Sequence, residues 1–263
     1  MARDVRATGR DVTPPRPVLV PVGVGAAYAR PGEAQSCYLV RVADRAIALD
    51  LGSGTLNRLQ EHLPPERLSA LVITHLHPDH CVDLLALRVY LAYGPGRGHA
   101  LRVLGPPELR RRLMDFGGSD AWDEVIRFED LTGDAGERDL GGGVTLRYGQ
   151  VPHLPPTFAL RVEAGGGAVC FGADCADNDA LPVLAAGADV LLCECSFGAG
   201  EVPAGVPHLN GRQAGGIAAR AGAGRLLLTH CFPEQDRGAA LADAREAFPG
   251  PVEWAVQDEA VAA

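Results

Sequence analysis

The segment Thr74–His80 carries the densest group of side chains in this chain that could do chemistry. It reads Thr-His-Leu-His-Pro-Asp-His and directly follows an apolar, strand-like run. His75 and His77 alternate with a leucine, so both imidazoles can face one metal ion. Asp79 and His80 come after the proline, which favours a turn, and can face a second ion. Imidazole and carboxylate groups suit zinc, and also iron or manganese.

Three further candidate ligands each stand at the end of a strand-like run, and they are His153, Asp174 and His230. A carboxylate in such a position can bridge two cations through its two oxygens. Each residue alone could be an ordinary loop histidine or a capping aspartate, and short histidine motifs also arise by chance. Together with Thr74–His80 they complete a set for two metal ions. The sequence therefore predicts a site for two Zn²⁺, with Mn²⁺ or Fe²⁺ as alternatives.

These motifs resemble the metallo-β-lactamase superfamily in four places: His-Leu-His-Pro-Asp-His, the loop at residue 153, Gly-Ala-Asp at 172–174 and Leu-Leu-Leu-Thr-His at 226–230. The resemblance implies an α/β fold of four layers, an αβ/βα sandwich of two mixed β-sheets flanked by helices. It also implies one ion on His75, His77 and His153, a second on Asp79, His80 and His230, and a bridging Asp174. Asp50 matches the family's early Asp-x-Gly and is assigned to orienting a ligand imidazole.

A second group of residues narrows the resemblance to the ribonuclease Z-like phosphodiesterase branch. Glu194 ends an apolar run and His208 precedes a helix, and segment 188–233 is most similar to the atypical cyclic-AMP phosphodiesterases of actinobacteria. The resemblance implies that a Glu194–His208 pair assists departure of the leaving group, and the catalytic set is His208, Glu194 and Asp79. His208 could instead be a surface residue that starts a helix, but the need for an acid favours the catalytic role.

The implied function is a dinuclear zinc-dependent hydrolase of small phosphodiesters or cyclic nucleotides, acting through a hydroxide that bridges the ions. Hydrolysis of thioesters, lactones or amides by the same site stays open as the alternative. The interval 154–173 has no room for the long basic arm of tRNA-processing relatives, and the net charge of −9 argues against long nucleic acid. We expect a small-molecule substrate and neither a tRNA nor a membrane partner, and we leave a homodimer open because relatives often dimerise.

The composition suits a globular protein whose core is rich in aliphatic side chains. The 263 residues allow one or two domains at roughly 150 residues each. Because the candidate site residues extend from 50 to 230, we expect one hydrolase domain over 18–263 after a disordered tail over 1–17. All 24 basic residues are arginines, which excludes chemistry that requires lysine. Seven cysteines without a Cys-x-x-Cys pair, and no signal or membrane-spanning segment, favour a reducing cytoplasm.

Apolar periodicity predicts the elements that must position these side chains. Strands are predicted over Val18–Val22, Tyr38–Val42, Ala46–Leu51, Leu71–Thr74, Leu101–Leu104, Val144–Tyr148, Ala159–Val162, Ala168–Gly172, Val190–Cys193 and Leu226–Thr229. Helices are predicted over Leu84–Ala92, Pro107–Asp115, Gly211–Ala221 with Asn210 as N-cap, and Arg237–Ala247. Three cysteines directly follow candidate ligands, namely Cys81, Cys175 and Cys231. They are interpreted as small side chains that fill space behind the site, and sensitivity of the protein to oxidation is a possible consequence.

Overall fold

A computed structural model describes residues 14–117 and 121–263. Its first half contains β1 (Val18–Gly23), β2 (Cys37–Val42), β3 (Arg45–Leu49), α1 (Thr55–His62), β4 (Ala70–Val72), α2 (Pro78–Cys81), α3 (Leu84–Tyr93), β5 (Leu101–Gly105), α4 (Leu109–Gly117) and β6 (Ile126–Asp130). Its second half contains β7 (Ala135–Gly141), β8 (Val144–Val151), β9 (Thr157–Ala164), β10 (Gly167–Phe171), α5 (Ala180–Leu184), β11 (Val190–Glu194), α6 (Gly211–Ala221), β12 (Leu226–Thr229), α7 (Arg237–Ala247), β13 (Val252–Trp254) and β14 (Val261–Ala262). A 3₁₀ turn spans Pro65–Arg67.

The strands form two seven-stranded sheets, ordered β14-β1-β2-β3-β4-β5-β6 and β13-β12-β11-β10-β9-β8-β7. Both sheets are mixed. In the first, β3 to β6 run parallel and the strands before them pair antiparallel. In the second, β10 to β13 run parallel and β7 to β10 pair antiparallel. The predicted αβ/βα sandwich is confirmed.

Alternation of side chains along the strands explains the layers. In β4, Val72 packs in a core shared by the two sheets, whereas Leu71 packs with Leu87 of α3 on the outer face. In β11, Leu192 faces the shared core and Leu191 faces the helices of the second sheet. Because successive strand residues point to opposite faces, sheets covered on both sides need apolar residues at nearly every position.

The predicted elements agree with the structure best where the sequence carries a cap or a long apolar pattern. Helix α6 has the predicted bounds, and Asn210 forms a capping box with Gln213. The predicted strands Ala46–Leu51 and Leu71–Thr74 end earlier, at Leu49 and Val72, because the chain leaves the sheet there to form the loops of the candidate site.

Several elements were not predicted, and one prediction cannot be followed in full. Strands β6, β7, β13 and β14 and helix α1 lack a clear apolar pattern; β7 is mostly exposed. The helix expected from Pro107 begins at Leu109. Of the predicted tail over 1–17, residues 1–13 lie outside the described part, whereas Arg16 pairs with Asp189 at 2.6 Å. Within the described residues no helix is both long and apolar enough to span a membrane.

Parallel strands bring the candidate residues to one edge of the molecule. Asp50 and the segment 74–80 follow the neighbouring strands β3 and β4, and Asp174 and His230 follow β10 and β12. Asp50, Ala173 and His230 have left-handed backbones, with φ of 62°, 54° and 53°. Such conformations cost about 1–3 kcal/mol each and persist where the surrounding structure imposes them. Among the described residues, three of the five non-glycine residues with positive φ therefore lie at this edge.

Candidate metal centre

Three histidines and one aspartate form the first group of potential ligands. His77 Nδ1 lies 3.1 Å from His75 Nε2 and 3.3 Å from His153 Nε2. With a carboxylate oxygen of Asp174, these ligand atoms all lie within 4.8 Å of one another. Residues 75 and 153 are almost 80 positions apart, so the convergence is a product of the fold.

A second group contains Asp79, His80, His230 and the same Asp174. His230 Nε2 lies 3.1 Å from Asp79 Oδ2 and 3.3 Å from His80 Nε2. One oxygen of Asp174 lies 3.4 Å from His80 Nε2 and the other lies 3.6 Å from His230 Nε2. All seven candidate ligands therefore meet, and Asp174 is common to both groups.

Asp50 and Thr74 orient two of the imidazoles from behind. The Thr74 hydroxyl donates to Asp50 Oδ2 at 2.9 Å and therefore accepts from His75 Nδ1, also at 2.9 Å. The same Asp50 oxygen accepts from His80 Nδ1 at 2.7 Å, and the other accepts from the Thr74 backbone N–H at 2.7 Å. Asp50 is buried. Both histidines thus direct Nε2 toward the cluster, and that Asp50 orients a metal-bound imidazole stays a prediction.

Two further acceptors orient the remaining Nε2 ligands. His153 Nδ1 donates to the Pro207 carbonyl at 3.0 Å. His230 Nδ1 donates to the Ser196 hydroxyl at 3.0 Å, and that hydroxyl donates to Glu194 Oε2 at 2.5 Å. Neither Thr74 nor Ser196 was predicted to have a role. The position of Ser196, two residues after Glu194, is the one signal that could have indicated it, since alternate residues share a face of an extended chain.

The two groups differ in their electrostatics. Burial and neighbouring histidines lower the pKa values of His75 and His77, and burial lowers that of His153. Neutral imidazole is the metal-binding form, and three lone pairs that face one another at 3.1–3.3 Å fit a cation between them. Burial opposes ionisation of Asp174, but the charges of His230 and His80 outweigh it and hold the pKa well below its usual range.

In the second group, carboxylates favour protonated imidazoles. Burial lowers the pKa of His80, but Asp174 and Asp50 outweigh it, so that the pKa is raised well above its usual value. The pKa of His230 is raised in the same way by Asp174 and Asp79. A cation bound here would replace those protons, and binding would release them to solvent.

Glu194 and His208 lie beside the shared carboxylate. Glu194 is fully buried, and its Oε1 accepts from His208 Nδ1 at 2.9 Å and from the Cys175 backbone N–H at 2.9 Å. His208 Nδ1 is 3.9 Å from Asp174 Oδ2. Burial disfavours the imidazolium, but the hydrogen bond and charge of Glu194 outweigh it and raise the pKa of His208 to about 9. The structure thus brings Glu194 and His208 together in a hydrogen bond, and their role in proton transfer stays a prediction.

A cavity of about 300 Å³ opens onto these groups, lined by Ala27, Gln35, His77, Pro78, Asp79, Asp174, His208, His230 and Phe232. This volume lies at the low end of small-molecule sites. No cysteine sulfur among the described residues belongs to either ligand group. Burial raises the pKa of Cys81 to about 12, which keeps that thiol protonated and poorly reactive at neutral pH.

Comparison with known proteins places this chain in a family. Residues 45–231 match the family model described as "Beta-lactamase superfamily domain". The chain is 31% identical over 218 residues to "Probable metallo-hydrolase YhfI" of Bacillus subtilis (strain 168), covering 80% of this chain and 84% of that protein. It is 30% identical over 242 residues to "Ribonuclease Z" of Mycobacterium bovis (strain BCG / Pasteur 1173P2), covering 81% and 85%.

The crystal structure of YhfI, a metallo-beta-lactamase fold protein from Bacillus subtilis, aligns with a TM-score of 0.86 and 26% identity, over 95% of this chain and 100% of that one. The chain therefore belongs to the beta-lactamase superfamily. It is a metallo-hydrolase of that fold, in the branch that contains YhfI and ribonuclease Z.

Proposed function

We propose that this protein is a dinuclear zinc-dependent phosphodiesterase that acts on small phosphodiesters, cyclic nucleotides included. One observation carries the proposal: a buried glutamate accepts a hydrogen bond from His208 Nδ1, which lies 3.9 Å from the carboxylate that both ligand groups share. Transfer of a phosphoryl group from an alcohol needs a proton for the departing oxygen, and a histidine held in this way can supply it.

The ligand atoms support two zinc ions. The first ion would be held by His75, His77 and His153, the second by Asp79, His80 and His230, and both by Asp174. Nitrogen and carboxylate ligands suit zinc, with manganese or iron as alternatives. When bound, two such ions activate a water molecule and neutralise charge on the phosphoryl oxygens.

The chain's own residues supply the remaining chemistry. His208 donates a proton to the leaving oxygen, and Glu194 fixes its ring by accepting from Nδ1, which leaves Nε2 for the substrate. Glu194 is itself held by N–H groups, among them those of Cys175 and Leu209, the latter at 3.2 Å. Asp79, the third residue of the catalytic set, lines the cavity and would hold the second ion together with His80 and His230.

The surroundings of the site support a small substrate and not a tRNA. The interval between His153 and Asp174 is occupied by β9 and β10, a hairpin inside the second sheet, and not by a projecting arm. The net charge of −9 disfavours a polyanion. All seven cysteines are free thiols, which supports a reducing cytoplasm. A homodimer stays a proposal that rests on the family.

The test compares hydrolysis of phosphodiesters with hydrolysis of acyl substrates, and compares the wild type with two variants, His208→Ala and His99→Ala. Zinc-loaded protein should hydrolyse bis(p-nitrophenyl) phosphate and alkyl phosphodiesters in preference to thioesters or lactones. His208→Ala should lower turnover of an alkyl phosphodiester by about 10²–10⁴-fold with unchanged zinc content, and should affect a p-nitrophenyl ester much less, because p-nitrophenolate departs without a proton.

His99→Ala is the matched control, since His99 is exposed and lies outside the cavity. It should leave both rates unchanged. Preferential hydrolysis of thioesters or lactones would instead support the acyl hydrolase alternative. Equal loss of both phosphodiester activities in His208→Ala would remove its role as an acid.

A further inference from the structure

The cavity lining includes residues that the proposed mechanism does not use. Besides ligand residues and His208, it contains Ala27, Gln35 and Phe232. Phe232 is partly buried and follows the candidate ligand His230 by two positions. Aromatic residues make up only 5% of the chain, so their grouping around this cavity requires an explanation.

Phe232 is the centre of an aromatic cluster. The ring of Tyr28 stacks on it with centroids 5.2 Å apart and planes inclined by 14°. Phe197 meets it edge to face at 5.7 Å and 87°, and His208 lies 6.3 Å away at 72°. Tyr28 is 54% exposed. The cluster therefore extends an aromatic surface from the candidate acid and the cavity lining to solvent.

Hydrogen bonds hold this surface in place. The Tyr28 hydroxyl donates to Glu234 Oε1 at 2.7 Å. The Arg30 guanidinium donates to the Phe232 carbonyl at 3.3 Å, and the Phe232 N–H donates to the carbonyl of Ser196 at 3.2 Å. Since the Ser196 hydroxyl also orients a candidate ligand, the aromatic surface and the ligand cluster share one rigid support. A preorganised surface binds a ligand without the cost of ordering it.

We propose, on the basis of the phosphodiesterase function proposed above, that Phe232 and Tyr28 bind a planar aromatic ring of the substrate. The substrate class is then a phosphodiester with an aromatic or heteroaromatic group on the alcohol whose oxygen His208 protonates. Offset-stacked and edge-to-face contacts favour a flat ring over a saturated ring of similar size. Phe232 and Tyr28 are thus specificity-determining residues.

A second cavity offers an internal control. It has a volume of about 550 Å³, shares Pro78 with the first and is lined by Leu85, Leu113 and Phe116, among others. Its described lining contains none of the seven candidate ligands. Phe116 is 78% exposed, so its replacement should not disturb the fold. Phe116→Leu is therefore a matched partner for Phe232→Leu.

The experiment measures binding and not turnover. Phenylphosphonate and cyclohexylphosphonate, neither of which is hydrolysed, are titrated into zinc-loaded protein in a calorimeter. The wild type should bind the phenyl compound about three- to tenfold more tightly. The preference should fall to within about twofold in Phe232→Leu and in Tyr28→Leu. It should persist in Tyr28→Phe, which keeps the ring, and in Phe116→Leu.

The outcomes separate the two proposals. Equal affinity of the wild type for both compounds would overturn the inference and leave the phosphodiesterase proposal standing. A preference that survives in both Phe232→Leu and Tyr28→Leu, or that is lost only in Phe116→Leu, would also overturn it. If zinc is retained and neither phosphonate binds, the inference fails, and the hydrolysis test described above decides the phosphodiesterase proposal. Because Tyr28 is half exposed, Tyr28→Leu remains informative even if Phe232→Leu does not fold.

Discussion

Asp50→Asn is the most discriminating perturbation of the candidate metal centre. The substitution keeps the size of a fully buried side chain. In the native protein, Asp50 Oδ2 accepts from both the Thr74 hydroxyl and His80 Nδ1, at 2.9 and 2.7 Å. If the amide nitrogen takes that position, its N–H groups face two donors, and His80 Nδ1 can keep a hydrogen bond only as an acceptor, with the proton moved to Nε2, the atom that faces the cluster. If the amide is flipped, its N–H groups instead face the Thr74 backbone N–H, which donates to Asp50 Oδ1 at 2.7 Å in the native protein. Either orientation therefore loses a hydrogen bond.

The expected magnitude follows from this change of tautomer. Loss of a partner that orients a metal-bound histidine typically costs 10–100-fold in metal affinity. That range corresponds to about 1.4–2.7 kcal/mol. The loss should be larger for the group that contains His80, which bonds Asp50 directly, than for the group that contains His75, which is linked to Asp50 only through the Thr74 hydroxyl.

Zinc competition with a chromogenic chelator measures the two affinities. We expect one of two zinc equivalents to weaken by 10–100-fold, with circular dichroism unchanged. Asp83→Asn is the matched control, because Asp83 accepts hydrogen bonds from backbone N–H groups at the start of α1, among them that of Leu56 at 2.9 Å, and an asparagine oxygen can still accept from them. If Asp50→Asn binds two equivalents as tightly as the wild type, then the orientation of His80 does not depend on this carboxylate.

The remaining predictions concern the bridging carboxylate, the packing of the ligand loop and the metal. Asp174→Ala should bind neither zinc ion tightly, and mass spectrometry of native protein that shows two retained ions would contradict the shared role. Gly52→Ala should lower the free energy of unfolding in urea by about 1–3 kcal/mol, because a Cβ there would overlap the Asp79 carbonyl oxygen. Gly216→Ala, at an open position in α6, should instead raise it by up to about 1 kcal/mol. Removal of zinc with a chelator should lower the melting temperature and abolish hydrolysis. Both properties should return when zinc is restored. An unchanged melting temperature would show that the stability of the fold does not depend on the ion.

Local patterns were sufficient for much of the fold. Helices α6 and α7 were predicted with their observed bounds, since each combines a polar cap with an apolar face. The strand positions that precede the site were predicted from continuous apolar runs. Strand β7 was missed because it is an exposed edge with few apolar residues, and α1 because its N-terminus lacks a side-chain cap.

The sequence by itself determined which groups are available: five histidines and two aspartates at strand ends, a Glu194–His208 pair, and the family to which they belong. Only the tertiary structure decided how they are used. The Pro207 carbonyl and the Phe232 ring carry no sequence signature, and only its spacing from Glu194 indicates the Ser196 hydroxyl, yet these groups set the imidazole tautomers and the cavity wall. Hydrogen bonds and ring contacts depend on distances of a few ångströms between residues far apart in the chain, and only the packing of the two sheets sets those distances.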